Sequence, residues 1–259
     1  MDSISYSDAI GLLNYDPMRH LPLIKHACSL KDKARYYKIE SESALLVGMN
    51  FPHTLTHHDS QLYSDSISIN IVSGTYDDGI NQYLGALSSG KHVFKSEIDL
   101  HKSNHPFHQV KQFYSFTKDE KIPIENCDAL FPEKIDFKYE SLFSNISYSV
   151  SDINDSIENG AKVIVIMKNN IPVTGCIVFQ IYNNIWEIGA VATIPEFRKQ
   201  GLASAIVSIA NNYILEHSCI PRYHVESTNT ASLGLARKLG FRDFLNFRHY
   251  EIQIDADDI

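Results

Sequence analysis

The chain has 259 residues, 44% of them apolar and 21% charged, which suits a soluble globular protein with one large core or two modest ones and excludes collagen-like, coiled-coil and disordered chains. Lys and Arg number 23 against 31 Asp and Glu, a net charge of −8 that repels a phosphate backbone, so nucleic acid is not an expected partner and a cationic substrate such as an amine is the better electrostatic match. No apolar run approaches the roughly 18 residues of a membrane span, the start Met1-Asp2-Ser3-Ile4-Ser5-Tyr6 has no secretory pattern, and Cys28, Cys127, Cys176 and Cys219 are too scattered for a disulfide framework, so a cytoplasmic protein with reduced thiols and no membrane attachment is expected.

In the first half, Ala44 to Phe51 reads as a buried strand, Ile67 to Val72 as an alternating strand, Tyr76 to Leu87 as a helix and His92 to Ile98 as a further strand. Charges and prolines between Lys118 and Pro123, and again at Phe131-Pro132-Glu133, break the apolar pattern and place a division near residue 130. Residues 1–130 are then an N-terminal α/β half and residues 131–259 a second domain. In the second, Lys162 to Met167 and Pro172 to Tyr182 flank the turn Lys168-Asn169-Asn170 as a hairpin, and Ile185 to Thr193 is a strand ended by Pro195. Leu202, Ile206, Ile209, Ala210 and Tyr213 recur at helical spacing over about four turns. A strand Arg222 to Ser227, a helix Thr230 to Leu239 with Gly240 placed for a left-handed cap, and a strand Phe247 to Ile254 complete the order. The tail Asp255-Ala256-Asp257-Asp258 reads as a solvated, frayed end.

The segment Thr193-Ile194-Pro195-Glu196-Phe197-Arg198-Lys199-Gln200-Gly201-Leu202-Ala203 lies between a predicted strand and a predicted helix. A helix N-terminus has unpaired N–H groups and a partial positive charge, so it holds a phosphate where small residues allow approach. Gly201 and Ala203 give that room, and Arg198 and Lys199 add charge. Taken alone, the stretch reads equally well as a strand-to-helix turn with one structural glycine and two solvated cations.

These residues resemble the signature Arg/Gln-x-x-Gly-x-Gly/Ala of the Gcn5-related N-acetyltransferase (GNAT) superfamily, matched by Arg198, Gly201 and Ala203. Asn229-Thr230-Ala231-Ser232 through Leu239-Gly240-Phe241 is similar to that family's second element, an Asn opening a short helix that ends in Leu-Gly-Phe. Gly175, Thr193 to Arg198 and Pro221-Arg222-Tyr223 are most similar to the FR47-like and glycine N-acyltransferase-like branch and to the branch named GNAT acetyltransferase. The resemblance covers about residues 135 to 259. It implies the GNAT acyl-CoA N-acyltransferase fold, with a mixed, largely antiparallel sheet, preceded here by a second α/β half whose order is compatible with a diverged GNAT-like copy lacking the glycine loop.

What the resemblance implies for function is acetyl transfer from acetyl-coenzyme A to a primary amine of a small molecule or protein. The cosubstrate would lie in a wedge between the strand ending at Thr193 and the strand starting at Arg222, with a β-bulge near Gly189 opening it. Val191, Ala192 and Thr193 would pair with the pantetheine arm as an added strand. The main chain from Lys199 through Gln200, Gly201, Leu202 and Ala203 to Ser204 would wrap the pyrophosphate beside Arg198. Asn229 would cap its helix, bind pantetheine, or do both.

Glu187 stands fourteen residues before Gly201, where histone-modifying relatives have a general-base glutamate. About 13 Å along the strand from Val191, and on the same face unless a bulge intervenes, it suits a base working through water. The alternative is a solvated strand acid beside Trp186. Relatives have a tyrosine acid seven residues after the motif Asn, where this chain has Ala236. Ser232 is the candidate substitute near the sulfur; alternatively it serves only the first turn of its helix. The residue at Ala236 also keeps open a non-catalytic CoA-binding or regulatory module. A protein-interaction domain without cofactor fits less well with the intact glycine loop.

Twelve histidines, including His53, His57 and His58 and the group His101, His105 and His108, raise the question of a metal. Pro52, Pro106 and no Glu after His53 make these loop residues, and no metal is expected. His224 and Glu226 share parity on the strand beside the wedge and read first as structural residues.

Overall fold

The computed structural model describes residues 1–41, 45–74, 79–124, 127–146 and 148–255. Ala44, Tyr76 and the tail residues Ala256, Asp257 and Asp258 lie outside the described residues. Two compact units emerge: Met1–Phe113 with the chain from Leu245 on, and Tyr114–Phe244. This differs from a division near residue 130. The terminal strand, expected from its sequence position to belong to the second domain, pairs with a strand of the first unit and so joins it.

The first unit begins with β1 (Asp2–Ile4), α1 (Tyr6–Leu13) and α2 (Pro17–Leu30), followed by β2 (Arg35–Glu40), β3 (Leu45–Pro52), α3 (His57–Leu62), β4 (Ser68–Gly74), α4 (Gly79–Leu84) and β5 (Gly90–Ser96). Ser5 and Asp8 form a reciprocal capping box that starts α1. Strands β1 to β4 are antiparallel neighbours, and β4 and β5 run parallel, as a crossover through α4 requires. Sequence alternation suggested one wet face for β4, yet all seven of its residues are buried. Polar residues are accommodated there by bonding one another: Asn50 Nδ2 donates to Asn70 Oδ1 at 2.7 Å, and Ser68 Oγ meets His92 Nδ1 at 3.0 Å.

The second unit opens with the end of β6 (His108–Thr117) and continues through β7 (Ala129–Leu130), α5 (Glu140–Phe143), α6 (Val150–Glu158), β8 (Lys162–Lys168), β9 (Ile171–Tyr182), β10 (Ile185–Thr193), α7 (Leu202–Glu216), β11 (Ile220–Glu226) and α8 (Thr230–Lys238), up to the start of β12 (Arg242–Ile254). The strand order is β6-β11-β10-β9-β8-β7. β8 and β9 form the expected hairpin around Asn169 and Asn170, whose φ of 50° and 63° are the pair a tight two-residue turn demands. Ile206, Val207, Ala210 and Ile214 of α7 are wholly buried against the sheet, each large aliphatic contributing about 2 kcal/mol by removal from water. On the other face, Leu142 and Phe143 of α5 pack near Gly175, where a Cβ would press within 3.0–3.1 Å of Leu142, Phe143 and the carbonyl of Ile164.

Candidate functional site

The site begins where a ladder stops. β10 and β11 pair in parallel from Ile185↔Ile220 to Ile188↔Tyr223, while β10 itself continues to Thr193. Against β9, Gly189 faces Ile177 and Ala192 faces Gly175, so Ala190 and Val191 stand opposite the single Cys176. This is a β-bulge, one residue beyond the expected Gly189, and Ala190 takes it up with a φ of 51°. Beyond it, Thr174 Oγ1 donates to the Ala192 carbonyl at 2.7 Å and contacts Thr193 Oγ1 at 2.8 Å, fixing the far limb of β10 to β9.

From Thr193 the chain passes through a single turn, Pro195–Phe197, into the glycine loop. Lys199 and Gly201 have φ of 62° and 79°, both left-handed, and a Cβ built on Gly201 would meet no atom within 4 Å. α7 starts with no side-chain cap. Its first internal bond runs from the Ala205 N–H to the Gly201 carbonyl, so the N–H groups of Leu202, Ala203 and Ser204 lack intrahelical acceptors. Arg198 is held by its Nε donating to the Thr193 carbonyl at 3.1 Å.

These parts surround a cavity of about 600 Å³. Val191, Ala192 and Thr193 line it from β10, Arg198, Lys199, Gly201, Leu202, Ala203 and Ser204 from the loop and α7, and Asn229 and Ser232 from α8. The Gln200 side chain points elsewhere: its Oε1 accepts from Lys168 Nζ at 3.1 Å, and it lines a separate hollow instead. Asn229 caps α8 by accepting the Ser232 N–H at Oδ1, 3.0 Å, so the cap and the cavity wall are one residue. Gly240 closes α8 with a φ of 74°.

Sequence reasoning missed Leu142, Ile146, Gly234 and Lys238, which also line the cavity. Gly234 had a readable signal, a glycine inside a helical pattern, and a Cβ there would project into open space. Leu142 and Ile146 come from a stretch without useful periodicity, and Lys238 is an ordinary last-turn cation by sequence.

Glu187 does not line the cavity. Its carboxylate is ion-paired with Arg222 Nη1 across the β10–β11 rung, a partner that neither the solvated acid nor the water-linked base foresaw. The guanidinium is 4% exposed, and its Nη2 donates to Ser115 Oγ at 3.0 Å and approaches His224 Nδ1 at 2.9 Å. Ser115 Oγ is 2.8 Å from the same His224 nitrogen. The Glu187 charge also reaches Tyr148, whose phenol is pushed up first by burial and then by that carboxylate. His224 therefore belongs to a polar cluster built on the strand pair.

Among the described residues no group of three or more His, Cys, Asp or Glu is arranged to hold a metal ion, and no described helix is long and apolar enough to cross a membrane.

The family model described as GNAT acetyltransferase matches residues 91–250. Several solved structures share the fold over nearly the whole chain. A Drosophila protein is 11% identical, with 98% of each chain covered and a TM-score of 0.58. A GCN5-related N-acetyltransferase from Sphaerobacter thermophilus is 11% identical, covering 97% of this chain and 94% of its own, with a TM-score of 0.56. A GNAT-family acetyltransferase from Colwellia psychrerythraea is 12% identical over 98% of this chain and 99% of its own, with a TM-score of 0.55. No curated protein matches the chain.

Proposed function

The chain belongs to the GNAT acetyltransferase family, and from that premise we propose that its second unit moves the acetyl group of acetyl-coenzyme A to an amine by direct attack in a ternary complex. The observation that carries this reading is the cavity at the unpaired end of β10, walled by the first N–H groups of α7 and by Arg198, Lys199 and Lys238. Unpaired amides and three cations suit a diphosphate. The open space at Gly201 and Gly234 gives the ligand a close approach to both helices.

In this reading Val191 and its neighbours lend main-chain groups to the pantetheine arm, and an N–H at the bulge meets the oxyanion of the tetrahedral adduct. Glu187 accepts the proton of the attacking ammonium through water, sharing its carboxylate between that water and Arg222. Ser232, which lines the cavity, gives the departing sulfur its proton in this reading.

Titration calorimetry with acetyl-coenzyme A tests the binding half, and no heat at millimolar ligand defeats it. Thiol release with a panel of small amines and lysine peptides tests the transfer half. A second reading, a CoA-binding regulatory module, draws on Ala236 and on the Arg222 grip on Glu187; binding without turnover across the panel would select it.

A further inference from the structure

A guanidinium has N–H donors on three nitrogens and no acceptor, and the contacts of Arg222 are distributed unevenly among them. Nη1 donates to the Glu187 carboxylate across the β10–β11 rung. Nη2 donates to Ser115 Oγ of β6 at 3.0 Å and to His224 Nδ1 at 2.9 Å. Nε is buried without a hydrogen-bond partner. An arginine commonly grips a carboxylate through two nitrogens as a fork, and here neither nitrogen that could supply the second tooth is on Glu187. The same contacts settle the state of the imidazole. Because Nη2 can only donate, His224 Nδ1 is a bare acceptor, and the ring is neutral with its proton on Nε2. Ser115 Oγ lies 2.8 Å from that acceptor and belongs to a wholly buried residue, so the serine closes the triangle.

Resting on the acetyl-transfer reading, we propose that His224, helped by Ser115, is a positioning residue that holds Arg222 to a one-nitrogen grip on Glu187 and so leaves the carboxylate able to take the acceptor's proton through water. A second N–H on the carboxylate would stabilise its charged form further and lower its proton affinity. A weaker base takes the proton more slowly. The latch works because His224 offers Arg222 a lone pair. With Nδ1 committed in this way, His224 does not act as the base itself, although it stands one residue past the last β10–β11 rung. The other groups about Glu187 do not compete for Nη2. Its rung partner on β9 is Phe179. From the segment before α6, the Tyr148 phenol, kept protonated by burial, feels the Glu187 charge, with Asp152 of α6 beyond it. Glu226, the next acid of β11, is two residues further along the strand than His224.

Magnetic resonance of the full chain with isotope-labelled histidine tests the latch directly. Near neutrality the His224 ring should be neutral and protonated on Nε2, and a proton on Nδ1 overturns the latch. The Glu187 carboxyl carbon is then titrated. His224→Leu removes the acceptor and should lower the carboxyl midpoint by about half a unit, and Ser115→Ala combined with it by about one unit. His224→Asn, whose Oδ1 takes the place of Nδ1, should restore the midpoint. With a productive amine, the acid limb of kcat in His224→Leu should move down by the same interval and its plateau should fall about 2- to 3-fold, with KM for acetyl-coenzyme A unchanged and both effects recovered in His224→Asn. A residue that only supports the fold would move neither the carboxyl titration nor the limb. An unmoved midpoint in His224→Leu, or no recovery in His224→Asn, overturns the latch and leaves acetyl transfer standing. Failure of the unaltered protein to acetylate any amine overturns the acetyl-transfer reading and, with it, this role for His224, whatever the carboxyl titration shows.

Discussion

The two units repeat one strand plan and differ in where it is allowed to fail. In the first, β2, β3 and β4 are antiparallel, a crossover leads to β5 parallel to β4, and β12 follows on the far side. In the second, β8, β9 and β10 are antiparallel, α7 leads to β11 parallel to β10, and β6 follows. Yet β4 keeps a continuous register with β3 and stays paired with β5 up to Val72↔Ser96, the last residue of β5. β10 bulges after Gly189 and loses β11 after Ile188. The plan alone makes a closed scaffold; one inserted residue and a glycine loop turn it into a cavity with free amides on its wall.

Each unit also buries a cation on its parallel strand. Lys95 of β5 binds Asp59 at 2.5 Å, with the two side chains 4% and 1% exposed, while Arg222 of β11 binds Glu187, which is 14% exposed. Replacing either cation strands an acid, but Glu187 retains a path to water. Lys95→Met should therefore cost about 3–5 kcal/mol and Arg222→Met about 2–3 kcal/mol in urea unfolding. Turnover separates the pairs further: at temperatures where both variants are folded, acetyl transfer should survive Lys95→Met and drop with Arg222→Met. Equal turnover in the two would place Glu187 outside the chemistry.

Gly201 is the next place to press. Leucine there should weaken acetyl-coenzyme A binding about 30-fold, equivalent to about 2 kcal/mol, because the added side chain enters space now empty. Calorimetry reads this directly, and unchanged affinity would remove the diphosphate from the loop. The first unit offers the control. A side chain at Gly48 would strike the Tyr83 ring, so that substitution should lower stability and leave the affinity of the folded fraction alone.

How much of this was legible in the sequence follows the same divide. From Lys162 on, strands and helices were readable within a few residues, since turn residues and a clean 3.6-residue stripe leave few alternatives. The loop residues could be named because small residues at this turn, ambiguous by themselves, fall in the spacing of the GNAT signature. The first unit was harder: β1, α1, α2 and β2 left no pattern that was read, and the full burial of β4 contradicted its alternation because Ser68, Asn70 and Ser73 are satisfied by neighbours distant in sequence. Arg222 and Lys238 escaped for one reason. Their roles come from what faces them across strands or helices, and a linear pattern does not carry that.

Acid should find the first unit first. His20 is 1% exposed, its Nδ1 lies 2.6 Å from Ser73 Oγ, and burial followed by the Arg19 charge brings its pKa down to about 4. His26, against the Phe51 ring, is likewise lowered to about 4, by desolvation and then by Lys95. Unfolded, both titrate near 6.5, so between about pH 6.5 and 4 the unfolded chain binds protons that the fold refuses. The stability present above pH 6.5 is lost as pH falls through that window, about 2 kcal/mol for each histidine by pH 5. Hydrogen exchange should show β3 and β4 losing protection before β9 and β10, and His20→Gln should flatten the pH dependence. Simultaneous loss in both units would assign the acid limb to other groups.

The smallest effect separates two helix caps that serve different ends. Ser5 caps α1 in the first unit and Asn229 caps α8 in the second, each accepting a first-turn N–H, at 3.1 Å and 3.0 Å. Alanine at either should cost about 1 kcal/mol, the usual worth of a lost N-cap. Only Asn229 also lines the cavity, so only Asn229→Ala should raise KM for acetyl-coenzyme A, by a few-fold, on top of the stability cost. Asp at 229 keeps the cap acceptor but removes the amide donor and puts a negative charge on the cavity wall assigned to the pantetheine arm. Asn229→Asp should therefore restore the melting temperature and still bind acetyl-coenzyme A poorly. Recovery of both together would show that Asn229 acts on the ligand only by holding the helix end in place.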